Sequence, residues 1–307
     1  MRFKATLSDR GVSLLERGFV PSLEKFGKTC CLLLKEEDVH FVQNATCTDG
    51  PHVTAKLDRQ VLFQTNKYHV ESKHNNQIAF EIDLHHLLRV LRSASAVGSE
   101  SLSVKLTTKR TEEDPEPKPF LGFVTQGGDV QIEHDMPIGY PMENDDVDQM
   151  LREATVAQVC PYYLDLHWDL PRIQQVVERF KNISDETRMG TTKQGDLHLQ
   201  VEKTSIRMGV EYRNLKVAPA CEEPPSLVAS NASERLEEAT EAGDGNSVTV
   251  QVKNLNKALR CPMDLQERVL CGIAENRGYV HFLFVFSHEG SRDHMHLSIK
   301  LPVAEDD

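Results

Sequence analysis

The sequence predicts an α+β fold of many antiparallel strands and few helices, arranged as two similar halves. Three observations carry that reading. Alternation of apolar and polar residues recurs in short runs along the whole chain, from "RFKATL" near the start to "MHLSIKLPV" near the end. Only four segments look helical, with apolar residues at or near the i, i+3, i+4, i+7 spacing of a buried helix face. Those helices also come in related pairs: "DLHHLLR" (Asp83 to Arg89) is echoed by "NLNKALR" (Asn254 to Arg260), and "LEKFGK" (Leu23 to Lys28) by "VERFKN" (Val177 to Asn182). Strand, helix, strands, helix, strands, given twice, points to an internal duplication.

In chain order, "CCLLLKEEDVHFVQ" reads as two strands about a polar turn. "HVTAKLDRQVLFQTNKYHV", "QIAFEI", "SLSVKLTTK", "FLGFVTQ" and "VQIEHDMPI" follow as strands. Gly127, Gly128 and Asp129 mark a hairpin between the last two. The proline-rich "TEEDPEPKP" is expected to interrupt the strands around it. The second half reads as "LDLHW", "RMGTTKQ", "LHLQVEKT", "SIRMGVEYRNLKV", "SVTVQV", "RVLCGIAENRGYVHFLFVFSH" and "MHLSIKLPV".

The first helix is expected around Leu15 to Lys28, kinked or split by Pro21, whose ring clashes with the preceding turn. Leu84 to Arg92 is the second, with Asp83 as N-cap because its carboxylate accepts from backbone N–H groups. Pro171 to Asn182 is the third, with Pro171 suited to the first turn. Asn254 to Arg260 is the fourth, with Asn254 as cap.

At 307 residues the chain is long enough for two cores. A hydrophobic share of 39% and a charged share of 27% are ordinary for a globular protein. No apolar run approaches a membrane span, and the N-terminus has no stretch of signal-peptide length. The seven cysteines include no CxxC pair, so reduced thiols are expected rather than a disulfide framework or a zinc site.

The common phosphate-loop, nucleophile-elbow, zincin and dinucleotide motifs are absent. His294 and His296 read as strand residues, and Asp145, Asp146 and Asp148 as a solvated run in a linker. Tyr162, Tyr163 and Trp168 read as packing residues. No catalytic residue, cofactor or metal site is therefore expected.

Charge is unevenly distributed. The formal net charge is −12. Thr111 to Lys118 carries −3, Glu143 to Glu153 carries −4, Pro219 to Asn246 carries −6 and the terminal "EDD" −3, leaving +4 for the rest. The segment 219–246 is expected to be disordered, because it is poor in apolar residues.

The outward faces of the four helices carry the opposite sign. They hold Arg17, Lys25 and Lys28; Arg89 and Arg92; Arg172 and Arg179; and Lys253, Lys257 and Arg260. Positive faces set against acidic loops suit a polyanion. With no base-reading motif, they suggest sequence-independent contact with phosphates.

At this point the chain resembles a known family, the Hus-type subunit of the heterotrimeric DNA-damage checkpoint clamp. The residues that carry the resemblance are "MRFKA" at the start, "KTC" at Lys28 to Cys30, "HDMPI" at His134 to Ile138, "VVERFKNIS" at Val176 to Ser184 and "VHF" at Val280 to Phe282. The resemblance implies a sliding-clamp fold of two similar domains, each with antiparallel sheets outside and two helices on the inner face.

It implies domains at 1–138 and 164–307, joined by a connector at 139–163. The connector would dock partner proteins, through Tyr140, Met142, Val147, Met150 and Leu151. Two edge strands would join neighbouring subunits, through Val130, Ile132, His134 and Met136 on one and Ile206, Met208, Val210 and Tyr212 on the other.

The implied function is that of a non-catalytic ring subunit around double-stranded DNA, loaded by a clamp-loader ATPase and serving checkpoint and repair proteins. The implied location is the nucleus, with a cytoplasmic pool and no membrane contact. A homotrimeric replicative clamp is one alternative. A metal-dependent nuclease using the aspartates is the other.

Overall fold

In the computed structural model, which describes residues 1–43, 50–97, 101–111, 114–127, 130–155, 160–203, 205–218, 231–261, 266–286 and 295–304, the chain runs through two matching series of elements. The first begins with β1 (Arg2–Leu7), α1 (Asp9–Leu14), a π-helical turn (Leu15–Phe19) and α2 (Val20–Glu24). It continues with β2 (Thr29–Leu34), β3 (Asp38–Gln43), β4 (His52–Asp58), the short α3 (Arg59–Leu62), β5 (Phe63–Glu71) and β6 (Ile78–Asp83). It closes with α4 (Leu84–Ala96), β7 (Ser101–Thr111), β8 (Asp114–Gly127) and β9 (Val130–Pro137).

Helix α5 (Asn144–Thr155) follows. The second series is β10 (Tyr163–Asp165), α6 (Leu170–Phe180), β11 (Glu186–Thr192), β12 (Leu197–Lys203), β13 (Ile206–Tyr212), β14 (Lys216–Ala218), α7 (Ala232–Glu241), β15 (Gly245–Gln251), α8 (Val252–Leu259), β16 (Arg268–Ile273), β17 (Tyr279–Phe286) and β18 (Met295–Pro302). With α3 and α7 set aside, each series has nine described strands, with helices after the first and the sixth.

Sheet order repeats as well. β5-β1-β7-β8-β9 in the first half corresponds to β14-β10-β16-β17-β18 in the second, and β4-β3-β2-β6 corresponds to β13-β12-β11-β15. One joint breaks the parallel. β18 pairs with β4, from His296 opposite Lys56 to Lys300 opposite His52, and so fuses two of these sheets into one of nine strands. Their counterparts β9 and β13 each end a sheet.

The core is continuous across the joint. Phe19 of the π turn meets Phe286 of β17 with ring centroids 4.9 Å apart, and both are buried.

The helices depart from the sequence expectation in identifiable ways. The first begins at Asp9, ahead of the expected Leu15. Ser8 caps it, accepting from the Gly11 N–H at 2.9 Å and donating to the Val61 carbonyl at 2.7 Å. Gly11 hides the helix from a propensity reading but is required by packing, since a Cβ there would lie 2.2 Å from the Leu62 carbonyl oxygen. Pro21 lacks the N–H that would serve the Arg17 carbonyl. The turn before it widens to the π pattern, in which Val20 N–H bonds to the Leu15 carbonyl. In α8 the cap is Gln251 rather than Asn254, and the Asn254 side chain donates back to Gln251 at 3.1 Å.

Three segments taken for loops contain secondary structure among their described residues. The proline-rich stretch lies in the β7–β8 hairpin, with Lys109 opposite Lys118. The register shifts between Lys109 and Thr111, so the pairing is irregular around Pro115 and Pro117. Pro119 lies just past the end of β9, its carbonyl accepting from the Ile138 N–H.

The acidic segment 219–246 contains α7, capped by Asn231, with Leu236 and Ala239 buried. Residues 219–230 lie outside the described residues. The connector is the third case and contains α5. Among the described residues no disulfide forms; Cys47 and Cys221 fall outside them.

One buried polar chain ties the central sheet. Tyr163 OH and His281 Nδ1 are 2.8 Å apart, as are His281 Nε2 and Ser298 Oγ. Burial lowers the His281 pKa to about 3, helped by Lys300, His296 and His52. An unfolded histidine titrates near ~6.5. Between those values the unfolded chain binds the extra proton, so this group stabilises the fold above pH ~6.5 and that contribution is lost as pH falls toward 3. Urea midpoints measured from pH 7 to pH 4 should fall, with this group giving up to about 1.4 kcal/mol per pH unit. A His281→Gln chain should show a shallower fall.

Candidate nucleic-acid interface and assembly edges

The four helical segments pack as two pairs, α2 and the π turn with α4, and α6 with α8. Each buries one face and turns the other outward. α4 buries Leu84, Leu87, Leu88 and Leu91 and exposes His85, Arg89 and Arg92. α6 buries Ile173, Val177 and Phe180 and exposes Arg172, Gln175 and Arg179. α8 buries Leu255, Ala258 and Leu259, leaving Lys253 exposed and Lys257 half-buried. Arg17 projects from the π turn, and Lys28 from the turn into β2.

The two pairs meet where α2 and α8 end. Lys25 Nζ donates to the Arg260 carbonyl, and Gln174 Nε2 donates to the Leu259 carbonyl at 2.6 Å. Arg260 also pairs with Glu178 at 2.9 Å, across a groove lined by Pro171, Gln175, Arg179 and Asn182. Burial lowers the Lys25 pKa, with Cys261 opposing and Arg260 reinforcing the shift.

Lys25 and Arg260 therefore have work within the chain, Lys25 capping a helix-end carbonyl and Arg260 pairing with Glu178. Arg172 pairs with Asp169 at 3.3 Å. Among the described residues, Arg17, Lys28, Arg89, Arg92, Arg179, Lys253 and Lys257 enter no ion pair. The acids between these cations are engaged: Glu16 accepts from Ser95, Glu24 is 3.3 Å from His85, and Glu178 holds Arg260 and Lys181.

The two edge strands do not offer every residue marked in the sequence. On β9, Ile132 and His134 are half-buried, but Met136 is 2% exposed and belongs to the core. His134 also hydrogen-bonds Ser93 at 3.2 Å. The Val130 side chain lies outside the described residues. On β13, Ile206 is 54% exposed, while Met208, Val210 and Tyr212 pack partly on the core.

The connector is not the frameless linker expected. Gly139 and Met142 donate to the carbonyls of Glu81 and Ala79, both at 2.8 Å, and so cover the β6 edge. α5 then packs Val147 and Met150 against Leu33, Val42 and Ala79, with Leu151 and Met142 at the margin. Of the five docking residues, Val147 and Met150 are buried, and Tyr140 is exposed. A pocket beside them is lined by Cys31, Glu81, Met142, Asp146 and Met150.

Asp145 and Asp146 are exposed on this helix, and Asp148 hydrogen-bonds His74 at 3.1 Å. His294 lies outside the described residues, and His296 is half-buried opposite Val285 and Lys56. Tyr162 and Tyr163 pack as expected. Trp168 does not; it is 82% exposed, with the His167 ring edge-on to it at 5.0 Å. The sequence reading also passed over a cluster of Asp196, His198 and Glu211 on β12 and β13. Its signal, alternating acid and histidine with a glutamate on the next strand, needs the register to be seen.

A family model described as "Hus1-like protein" matches residues 1–298. The chain belongs to the Hus1-like protein family. The checkpoint protein hus1 homolog of Dictyostelium discoideum is 27% identical over 219 residues, covering 70% of this chain and 74% of that one. Checkpoint protein HUS1 of Homo sapiens is 22% identical over 287 residues, covering 92% and 94%.

Among solved structures, proliferating cellular nuclear antigen from Entamoeba histolytica matches with a TM-score of 0.60 at 11% identity, covering 99% of each chain. The PCNA2-PCNA3 complex from Sulfolobus tokodaii gives 0.56 at 10% identity, again covering 99% of each. The fold is that of a sliding clamp, and this family member is a checkpoint clamp subunit.

Because Met150 is buried under α5, Met150→Ala should lower unfolding free energy by about 2 kcal/mol. It should also speed amide exchange within α5 ahead of the central sheet, readable by mass spectrometry.

Proposed function

We propose that this clamp subunit joins two different companion subunits in a ring around double-stranded DNA, and that it serves there as a non-catalytic platform for checkpoint and repair proteins. The observation that carries the reading is the unmatched joint. Within the chain β18 pairs with β4, while their counterparts β9 and β13 end their sheets. A strand edge with unpaired N–H and C=O groups is stable in company and a liability alone. One edge comes from each half, so the contact is head-to-tail, and a head-to-tail contact with the right rotation closes a ring. The names of the relatives, checkpoint proteins, favour companions of the same pathway.

The lumen reading rests on the exposed cations of the helices. Their contacts would be to phosphates, which carry no sequence information and permit sliding. A ring that closes around duplex must be opened, which calls for a clamp-loader ATPase, and its work places it in the nucleus, with a cytoplasmic pool.

Two experiments test this. Native mass spectrometry of the chain alone should give one copy, and with both companions one copy of each; a self-trimer would favour the homotrimeric replicative reading. Arg89→Glu, Arg92→Glu and Lys253→Glu together should cut retention of the assembled ring on circular duplex by about tenfold or more at low salt, with melting unchanged. Wild-type retention by that variant would refute the lumen assignment. Lys25 and Arg260 are left intact because they tie the helix ends.

A further inference from the structure

The Asp196, His198 and Glu211 cluster belongs neither to the basic helices nor to the connector. Register creates it. His198 on β12 stands opposite Glu211 on β13, and Asp196 precedes His198 by two residues and so shares its face. One ligand atom from each of the three lies within 4.8 Å of the others. Asp196 is 7% and His198 5% exposed. A turn fixes Asp196, its N–H donating to Thr192 Oγ1 at 3.1 Å and its carbonyl accepting from the Thr192 N–H at 3.0 Å.

The unusual atom is His198 Nε2. It is buried, has no hydrogen-bond partner, and sits 3.7 Å from Glu211 Oε1. Glu211 itself is held rigidly. Its Oε2 accepts from Arg235 Nη2 and from Arg213 Nε at 2.6 Å, and its Oε1 accepts from Arg235 Nε at 3.0 Å. Oε1 thus keeps one lone pair.

An unpartnered, buried imidazole nitrogen set between two carboxylates is the donor set of a zinc-class ion. Two guanidiniums gripping the ligating carboxylate supply the outer support that such ligands normally have. A nitrogen ligand and a tight triad do not suit calcium or magnesium, which prefer all-oxygen shells. The two arginines balance the two carboxylates, and Glu234 on α7 adds negative charge toward Arg235.

We infer that Asp196, His198 and Glu211 bind one zinc-class divalent ion, which fastens β12 to the edge strand β13 and, through Glu211 and Arg235, to α7. The fourth position is left to water. The ion would stiffen the strand that the ring reading makes a subunit edge, yet its binding is measured on the isolated chain and does not depend on that reading.

The test is calorimetric titration of the chelator-stripped full-length chain with Zn²⁺ at pH 7.5, with Mg²⁺ as the hard-ion control. The wild type should take up about one Zn²⁺ per chain at this site and no Mg²⁺. It should melt higher with zinc, and amide exchange in α7 and β13 should slow. His198→Asn should abolish this site and the exchange effect, and Asp196→Asn should weaken it by at least about tenfold.

Zinc binding and slowed exchange that survive His198→Asn would mark adventitious surface histidines and overturn the assignment. So would a wild type that takes up no zinc. Should His198→Asn fail to fold, Co²⁺ added to the wild type decides: tetrahedral d–d absorption supports the site, and its absence overturns it.

Discussion

The constraint on which this architecture depends is the obligation of every strand to have its backbone donors and acceptors met. The chain meets it at β18 and β4 by pairing its own halves, and the pairing makes one sheet of nine strands out of two repeats. The same repeat logic leaves β9 and β13 at the ends of their sheets. The other features follow from where the sheets lie. Helices cover one sheet face and bury an apolar stripe there, so their polar stripe is turned to the opposite side.

Electrostatics is then arranged over that scaffold. The acid-rich segments occupy connections: α5 in the connector and α7 before β15. Basic residues occupy the exposed helix faces, and the acids that interrupt them are engaged locally by Ser95, His85, Arg260 and Lys181. Some cations serve the fold first. Lys25 and Arg260 close the junction between helix pairs, where desolvation and shared carbonyls count for more than long-range field.

Much of this was legible in the sequence because the periods are clean. β1 matches "RFKATL" residue for residue, and the cap at Asp83 is where a carboxylate should stand. The misses share a physical cause, which is that tertiary packing overrode local preference. Gly11 reads as a helix breaker until the Leu62 backbone is seen against it. α7 reads as a solvated acidic run because its buried residues are few, Leu236 and Ala239, and its anchor is an arginine whose partner Glu211 is 24 residues earlier. Val147 and Met150 look like open docking residues until the sheet beneath them is known. The histidine–glutamate apposition on β12 and β13 is a matter of register, which one-dimensional patterns do not give.

The chain has a single tryptophan, and Trp168 stands 82% in solvent at the turn before α6. Its indole emission is therefore that of a hydrated chromophore, red-shifted and open to collisional quenchers. Any macromolecular surface laid over that turn would shift the emission to the blue, so the molecule carries an intrinsic optical reporter on one defined spot of its exterior.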